Sequence, residues 1–249
     1  MKVLIIGIAG MLFCGPTIAA ENYCSAGGPS IHCFVNNSPW VTESSNAPWT
    51  ISGRGGGDLR FEVRSGDTAP WDAAHNHSAE RAEMSESPRK QPIDADIWFS
   101  TDLMVEPGPK VSSKWVVLGQ LRPTEDPGDI APSPAWAQEL DAGDEFRIVV
   151  RTRAEKPLRS NPAAQVLFVD PGFQRGHVYH FVYRLRYSLK RGLVEVWRDG
   201  QQIVEYSGPV GYGGQQGPYF KFGIYREPSP EPLAVHYINL RFGGPELKP

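Results

Sequence analysis

The chain has 249 residues, with 25 basic and 28 acidic side chains and a formal net charge of −3. Such a balance offers no polycationic surface and excludes binding to nucleic acid through its phosphates. Beyond the first twenty residues no window approaches the roughly 18 apolar residues a membrane-spanning helix needs, and 26 Gly and 23 Pro are spread as punctuation between short strand-like runs.

The opening MKVLIIGIAGMLFCGPTIAA has one basic residue, an apolar run from Val3 to Phe13 and small residues at Ala19 and Ala20. It reads as a signal peptide over 1–20, which leaves 21–249 as a single domain exported to the periplasm or outside the cell. Cys14 leaves with that segment, and Cys24 and Cys33 are then expected to form one disulfide in an oxidising compartment. Strands are predicted at Trp49–Ser52, Asp58–Arg64, Ala79–Met84, Ile93–Met104, Lys114–Leu121 and Phe146–Arg153. Further strands follow at Val166–Val169, His177–Tyr187, Gly192–Arg198, Gln201–Ser207, Tyr219–Tyr225 and Ala234–Phe242. The best short helix-period segment is Pro134–Leu140. In VEVWRDGQQIVEY, Asp199–Gly200 supplies the positive backbone dihedrals of a two-residue hairpin turn. These elements predict an all-β jelly-roll sandwich of two antiparallel sheets, with the outer face of one sheet free as a concave groove.

Alternation shows what that face would carry. In GPYFKFGIYR, Phe220, Phe222 and Ile224 fall on one side and Tyr219, Lys221, Gly223 and Tyr225 on the other. In DLRFEVR, Phe61 and Val63 go inward while Arg60, Glu62 and Arg64 go out. Arg81 and Glu83 share a face, as do Gln120 and Arg122, and Arg147 and Arg151. Four strands thus each offer a guanidinium, and a fifth adds phenols and an ammonium. Guanidinium forks match carboxylates and sulfates, so the expected partner is an acidic polysaccharide. A monomer is expected.

The six histidines show no zinc-type spacing, although His75 and His77 would place two imidazoles on one side of a strand. No nucleophile elbow or phosphate-binding loop is present. Asp94 and Asp96 alternate as paired glycosidase carboxylates can, but Asp96 abuts an apolar run. β-Elimination fits better. Removing the C5 proton of a uronic acid needs its carboxylate neutralised by Gln, Asn, His or Arg, with a Tyr or His to move protons. This chemistry requires no cofactor, and neither a metal site nor a structural calcium ion is indicated.

The runs ERAE (Glu80–Glu83), LGQLR (Leu118–Arg122), FRIVVR (Phe146–Arg151), YHFVYRLRYS with VEVWRDGQQI, and above all GPYFKFGIYR resemble the heparin lyase I-like polysaccharide lyases, relatives of alginate and glucuronan lyases, over roughly Leu59 to Phe242. The resemblance implies a concanavalin-like jelly roll and a lyase acting on a glucuronan- or heparin-type polymer. It implies proton transfer by Tyr225, neutralisation of the uronate by Gln120, and Arg81 as the arginine of the R-x-E segment. It also implies substrate binding by Lys221, beside which the alternation places Arg122, Arg60, Glu83, Arg147 and Tyr219 along the groove as substrate-binding candidates.

One position departs from that pattern: relatives commonly carry histidine two residues after the glutamine, and this chain has Arg122. Arginine can neutralise a carboxylate but is a poor base. Three outcomes follow: Tyr225 handles both protons, a histidine from the His75–His77 segment enters the site (His77 is the catalytic candidate), or activity is lost. The last would leave a carbohydrate-binding sandwich. A structural envelope protein would leave the arginine strands unexplained.

Overall fold

The computed structural model describes residues 22–27 and 30–249; the expected signal peptide and Cys14 lie outside the described residues. In chain order the elements are β1 (Tyr23–Gly27), β2 (Ser30–Val35), β3 (Ser38–Ser44), β4 (Ile51–Gly55), β5 (Asp58–Val63), α1 (Pro70–Ala74), β6 (Glu80–Ser85), β7 (Ile97–Val105) and β8 (Val116–Arg122). They continue with β9 (Trp136–Asp141), β10 (Glu145–Val150), β11 (Thr152–Arg153), β12 (Gln165–Asp170), β13 (Tyr179–Arg186), β14 (Leu193–Arg198), β15 (Gln201–Ser207), β16 (Gly211–Tyr212), β17 (Tyr219–Arg226) and β18 (Leu233–Gly243).

Two large antiparallel sheets pack face to face as the jelly-roll sandwich that the alternation predicts. One has nine strands in the order β1-β2-β3-β6-β17-β8-β9-β10-β12, the other seven in the order β15-β14-β13-β7-β18-β5-β4. Phe220, Phe222 and Ile224 of β17 are fully buried between them, with Phe220 and Phe222 5.1 and 5.6 Å from the Phe99 ring on β7. The same alternation turns Lys221 and Tyr225 to the outer face of the nine-stranded sheet. Asp199 and Gly200 both have positive φ, 52° and 81°, as the β14–β15 hairpin requires.

Several elements differ from expectation. Pro134–Leu140 is not helical: Trp136, Gln138 and Leu140 point into the core from β9. The buried Gln138 hides the alternation, because a polar residue reads as outward. β7 starts at Ile97 rather than Ile93, since Asp94 takes a left-handed φ of 62° and Asp96 turns out to bind Arg184 and Arg186. The strands β1–β3, the two-residue β16 and the short α1 carry too few periodic residues to be read from sequence.

Arg60 requires a correction. Its outward parity on β5 is right, but β5 belongs to the seven-stranded sheet, so Arg60 lies on the opposite outer face of the sandwich. There it binds Glu106 at 2.6 and 3.0 Å and Glu62 at 2.6 Å.

Cys24 and Cys33 are cross-strand partners on β1 and β2 and are disulfide-bonded. Closing so short a loop restricts the unfolded chain, so replacing both with Ala should cost about 2–3 kcal/mol in chemical denaturation. The cleft described below lies elsewhere and should keep its ligand affinity.

Candidate functional site

A cleft of about 770 Å³ lies on the outer face of the nine-stranded sheet. Its floor is Arg81 of β6, Arg122 of β8, and Tyr219, Lys221 and Tyr225 of β17. One wall is β3 with Glu43, together with α1 and the residues around it, including Trp71, Asp72 and His77. The other wall is the loop after β8, with Glu125 and Ala131–Pro134. That loop is pinned through its own Asp129, which accepts hydrogen bonds from Leu158 N–H and the Lys156 ammonium.

The geometry of β17 depends on an irregularity. Phe222 faces Gly119, but Tyr225 faces Val117, so two residues of β17, Gly223 and Ile224, oppose Leu118 alone. A second register shift between β8 and β9 falls at the same residue. This is a β-bulge, and Gly223 holds it with φ 133°. A Cβ there would lie 2.2 Å from Ala82 O and 2.7 Å from Glu83 Cα, so only glycine fits.

The bulge is stitched from the core side by Tyr237 of β18, whose hydroxyl donates to Leu118 O and accepts from Gln138 Nε2 at 2.9 Å. Tyr183 in turn donates to Gln138 Oε1 at 2.6 Å. All three side chains are fully buried, and each is satisfied by the others, which is what allows such groups inside an apolar core.

Arg81 is the centre of the floor. Its Nε and Nη2 bind the two oxygens of Asp72 at 2.9 and 3.1 Å, and its Nη1 binds Glu43 at 2.6 Å and Glu83 at 3.2 Å. The guanidinium also lies 4.2 Å from the centre of the Tyr225 ring, a cation–π contact. Burial opposes the charge, but Glu83, Glu43 and Asp72 outweigh it and raise the guanidinium above its ordinary pKa.

Glu83 is fully buried and also accepts from Gln120 Nε2 at 2.7 Å. The expected contact of Glu83 with substrate is therefore corrected: no face of it meets the cleft. Gln120 shares the outward parity but is buried as well, with its amide N–H held by Glu83. Arg147 stands on the same sheet face two strands beyond β8, outside the cleft lining, bound to Asp141 and Glu145 at 2.5 Å each.

Lys221 Nζ lies 2.6 Å from Glu43 Oε2. Burial alone would raise the Glu43 carboxyl; Lys221 and Arg81 outweigh it and hold Glu43 below the usual carboxylate range. Burial lifts the Tyr225 phenol above its ordinary value while Arg81 pulls the other way, so the neutral, proton-donating form prevails at pH 7. The Trp115 ring packs on Tyr225 from the far side at 4.9 Å. Tyr219 carries the Lys90 ammonium over its ring at 4.1 Å.

Arg122 is the least committed cation here. Its one carboxylate partner among the described residues, Glu125, stands 3.2 Å away on the half-exposed rim. Of the two candidate histidines, His77 lines the cleft, half-exposed, with Nδ1 3.9 Å from Asp72. His75 instead turns its Nδ1 to Trp71 O at 2.8 Å and stacks on the indole at 4.3 Å. Trp71 itself, 61% exposed at the mouth of the cleft, carries no sequence signal beyond being an isolated Trp after Pro. Glu43 and Asp72 were equally hidden, because nothing local ties them to Arg81. Among the described residues no group of three or more His, Cys, Asp or Glu side chains is placed to hold a metal.

The chain thus presents a polar cleft across the outer face of one sheet of a jelly-roll sandwich. Residues 35–241 match the family described as polysaccharide lyase, and the chain belongs to that family. Its fold is similar to that of an endo-β-1,4-glucuronan lyase from the fungus Trichoderma reesei, with TM-score 0.59 and 10% identity, covering 91% of this chain and 92% of that one. It is also similar to the alginate lyase AlyC3, with TM-score 0.57, 12% identity and 90% of each chain covered. A third similar structure is the alginate lyase vAL-1 from Chlorella virus, with TM-score 0.56, 8% identity, and 82% of this chain and 92% of that one covered. No curated protein sequence matches the chain.

Removing the Tyr237 hydroxyl strips a partner from Leu118 O and from Gln138 at once. Tyr237→Phe should lose about 1–3 kcal/mol of stability by urea denaturation, the cost of buried polar groups left unpaired.

Proposed function

We propose that this polysaccharide lyase cleaves an exported or extracellular uronic-acid polymer by β-elimination in the cleft above Arg81, with glucuronan-type chains as its substrate class. The observation that carries this reading is the placement of the Tyr225 phenol and the lightly paired Arg122 on one cleft floor. In the reaction a base takes the proton from C5, its electron pair forms the C4=C5 double bond, and the C4–O bond breaks with the leaving oxygen taking a proton. Arg122 holds the uronate carboxylate and so stabilises the charge that builds on it. Burial keeps Tyr225 protonated, which suits the acid that serves the leaving oxygen. His77, the one histidine among the described residues that lines the cleft, is the base. The exposed Trp71 offers an aromatic face to a sugar ring at the cleft mouth.

Charge balance supports a carboxylate polymer over a heavily sulfated one. Arg81, Arg122 and Lys221 line the cleft against Glu43, Asp72 and Glu125, three cations to three carboxylates, so no cationic excess awaits several anions per sugar. Resemblance to the heparin lyase I-like group in particular rests on the sequence runs given above, GPYFKFGIYR above all, and does not carry heparin as the substrate.

Purified protein incubated with glucuronan, heparin, heparan, alginate and hyaluronan should show the ultraviolet absorbance of an unsaturated uronate with glucuronan above all. Binding without absorbance gain on any of them would mark a binding module instead. Tyr225→Phe keeps the ring over Arg81 but removes its proton, so kcat should fall by about 10²–10⁴-fold with substrate affinity little changed. Tyr219→Phe removes a phenol from the same face and should leave kcat within a few-fold. Arg122→Ala should lower kcat/KM by about 10²–10³-fold, the scale of losing one charge-stabilising group.

A further inference from the structure

Glu43 is the solvent-side carboxylate of the buried charge cluster and the hydrogen-bond partner of Lys221. Beneath the cleft two cations, Arg81 and Lys221, already face two buried carboxylates, Asp72 and Glu83. Glu43 is a third, added from the solvent side: it lines the cleft with 30% of its side chain exposed. A single oxygen, Oε2, takes both Arg81 Nη1 and Lys221 Nζ at 2.6 Å, while Oε1 makes no hydrogen bond among the described residues. An anionic oxygen held between a guanidinium and an ammonium, reached from solvent, is how such a pair takes an oxygen of a bound anion.

We infer that Glu43 is a specificity-determining residue that fills the anion position between Arg81 and Lys221, so that the cleft takes sugars bearing one carboxylate and turns away sugars that also carry sulfate. This rests on the reading of the cleft as a uronate site. The uronate carboxylate has Arg122 on the open side of the floor. A sulfate on the same or the next sugar would have to displace Glu43 or lie beside it. Two like charges about 6 Å apart at an effective dielectric of about 20 repel by an amount worth about a hundredfold in affinity. Discrimination of this kind comes from repelling the wrong ligand as much as from holding the right one. A purely structural Glu43 would make the opposite demand. Its loss would lower stability and leave the ranking of ligands as it was.

The test is calorimetric binding of the full chain, wild type and Glu43→Gln, to heparin and to polyglucuronate of matched length at one ionic strength. Glutamine keeps the size and one acceptor oxygen and removes the charge. The expected result is that the ratio of heparin to polyglucuronate affinity rises at least about tenfold in the variant. An unchanged ratio overturns the inference, as does a wild type that already binds heparin as tightly as polyglucuronate. If Glu43→Gln does not fold, the wild type alone decides. Polyglucuronate sulfated on its hydroxyls should bind at least about tenfold more weakly than its parent, and equal or tighter binding overturns the inference. None of these readings needs turnover, so a failure of the lyase assignment appears separately, as the absence of unsaturated product with every polymer.

Discussion

The guanidinium of Arg81 is buried under the cleft, and the site is built around making that burial tolerable. Taking a guanidinium out of water costs several kcal/mol unless its donors are met by well-placed acceptors. Asp72 meets two of them from α1, Glu83 a third from the same strand, and Glu43 closes the set from β3. Each acceptor ties in something more. Asp72 fixes α1 and with it Trp71 and His77 at the wall, Glu83 fixes the Gln120 amide on β8, and Glu43 fixes the Lys221 ammonium on β17. The Tyr225 ring rests on the guanidinium itself. The floor is thereby set before any ligand arrives, which places the burden of recognition on the few groups with free capacity.

Those groups stand where they do because the sheet is irregular at one point. Were β17 to continue in regular register from Phe222 opposite Gly119, Tyr225 would face Val116 across β8 instead of Val117, and the phenol would be displaced along the floor from Arg122. The bulge takes Leu118 out of regular pairing, and the Tyr237 hydroxyl gives its C=O a partner from inside the core. A hydroxyl in the sandwich interior thus shapes a surface on the other side of the sheet, and its own satisfaction by Gln138 and Tyr183 makes it compatible with the surrounding Phe side chains.

What could be read from sequence follows from period. β17, β5 and the β14–β15 hairpin were legible because Phe, Val and Ile alternate with polar residues and because Asp-Gly demands its own turn. The cysteine pair was legible from count alone. Parity tells which face of a strand a side chain occupies but not which sheet the strand joins, and so Arg60 was placed in the groove when it lies across the sandwich. β9 was masked by Gln138, a polar residue facing in. The internal acids were the largest gap. Arginines on outward positions look free in sequence, yet Glu43 and Asp72, 38 and 9 residues before Arg81, join Glu83 in holding it. Arg122, the departure from the family pattern, proves to be the cation with the most left to offer.

The central claim is that a uronate carboxylate is held by Arg122 beside the Tyr225 position, above a floor already neutralised by the chain's own acids. A crystal structure of the Tyr225→Phe variant with a glucuronate oligosaccharide tests it most directly. The account places one sugar carboxylate in a two-point hydrogen bond with the Arg122 guanidinium, with the substituted phenyl ring next to C5 and Glu43 still between Arg81 and Lys221. A sugar carboxylate seated on Arg81 and Lys221 with Glu43 swung away, or an oligosaccharide bound outside this cleft, would contradict it.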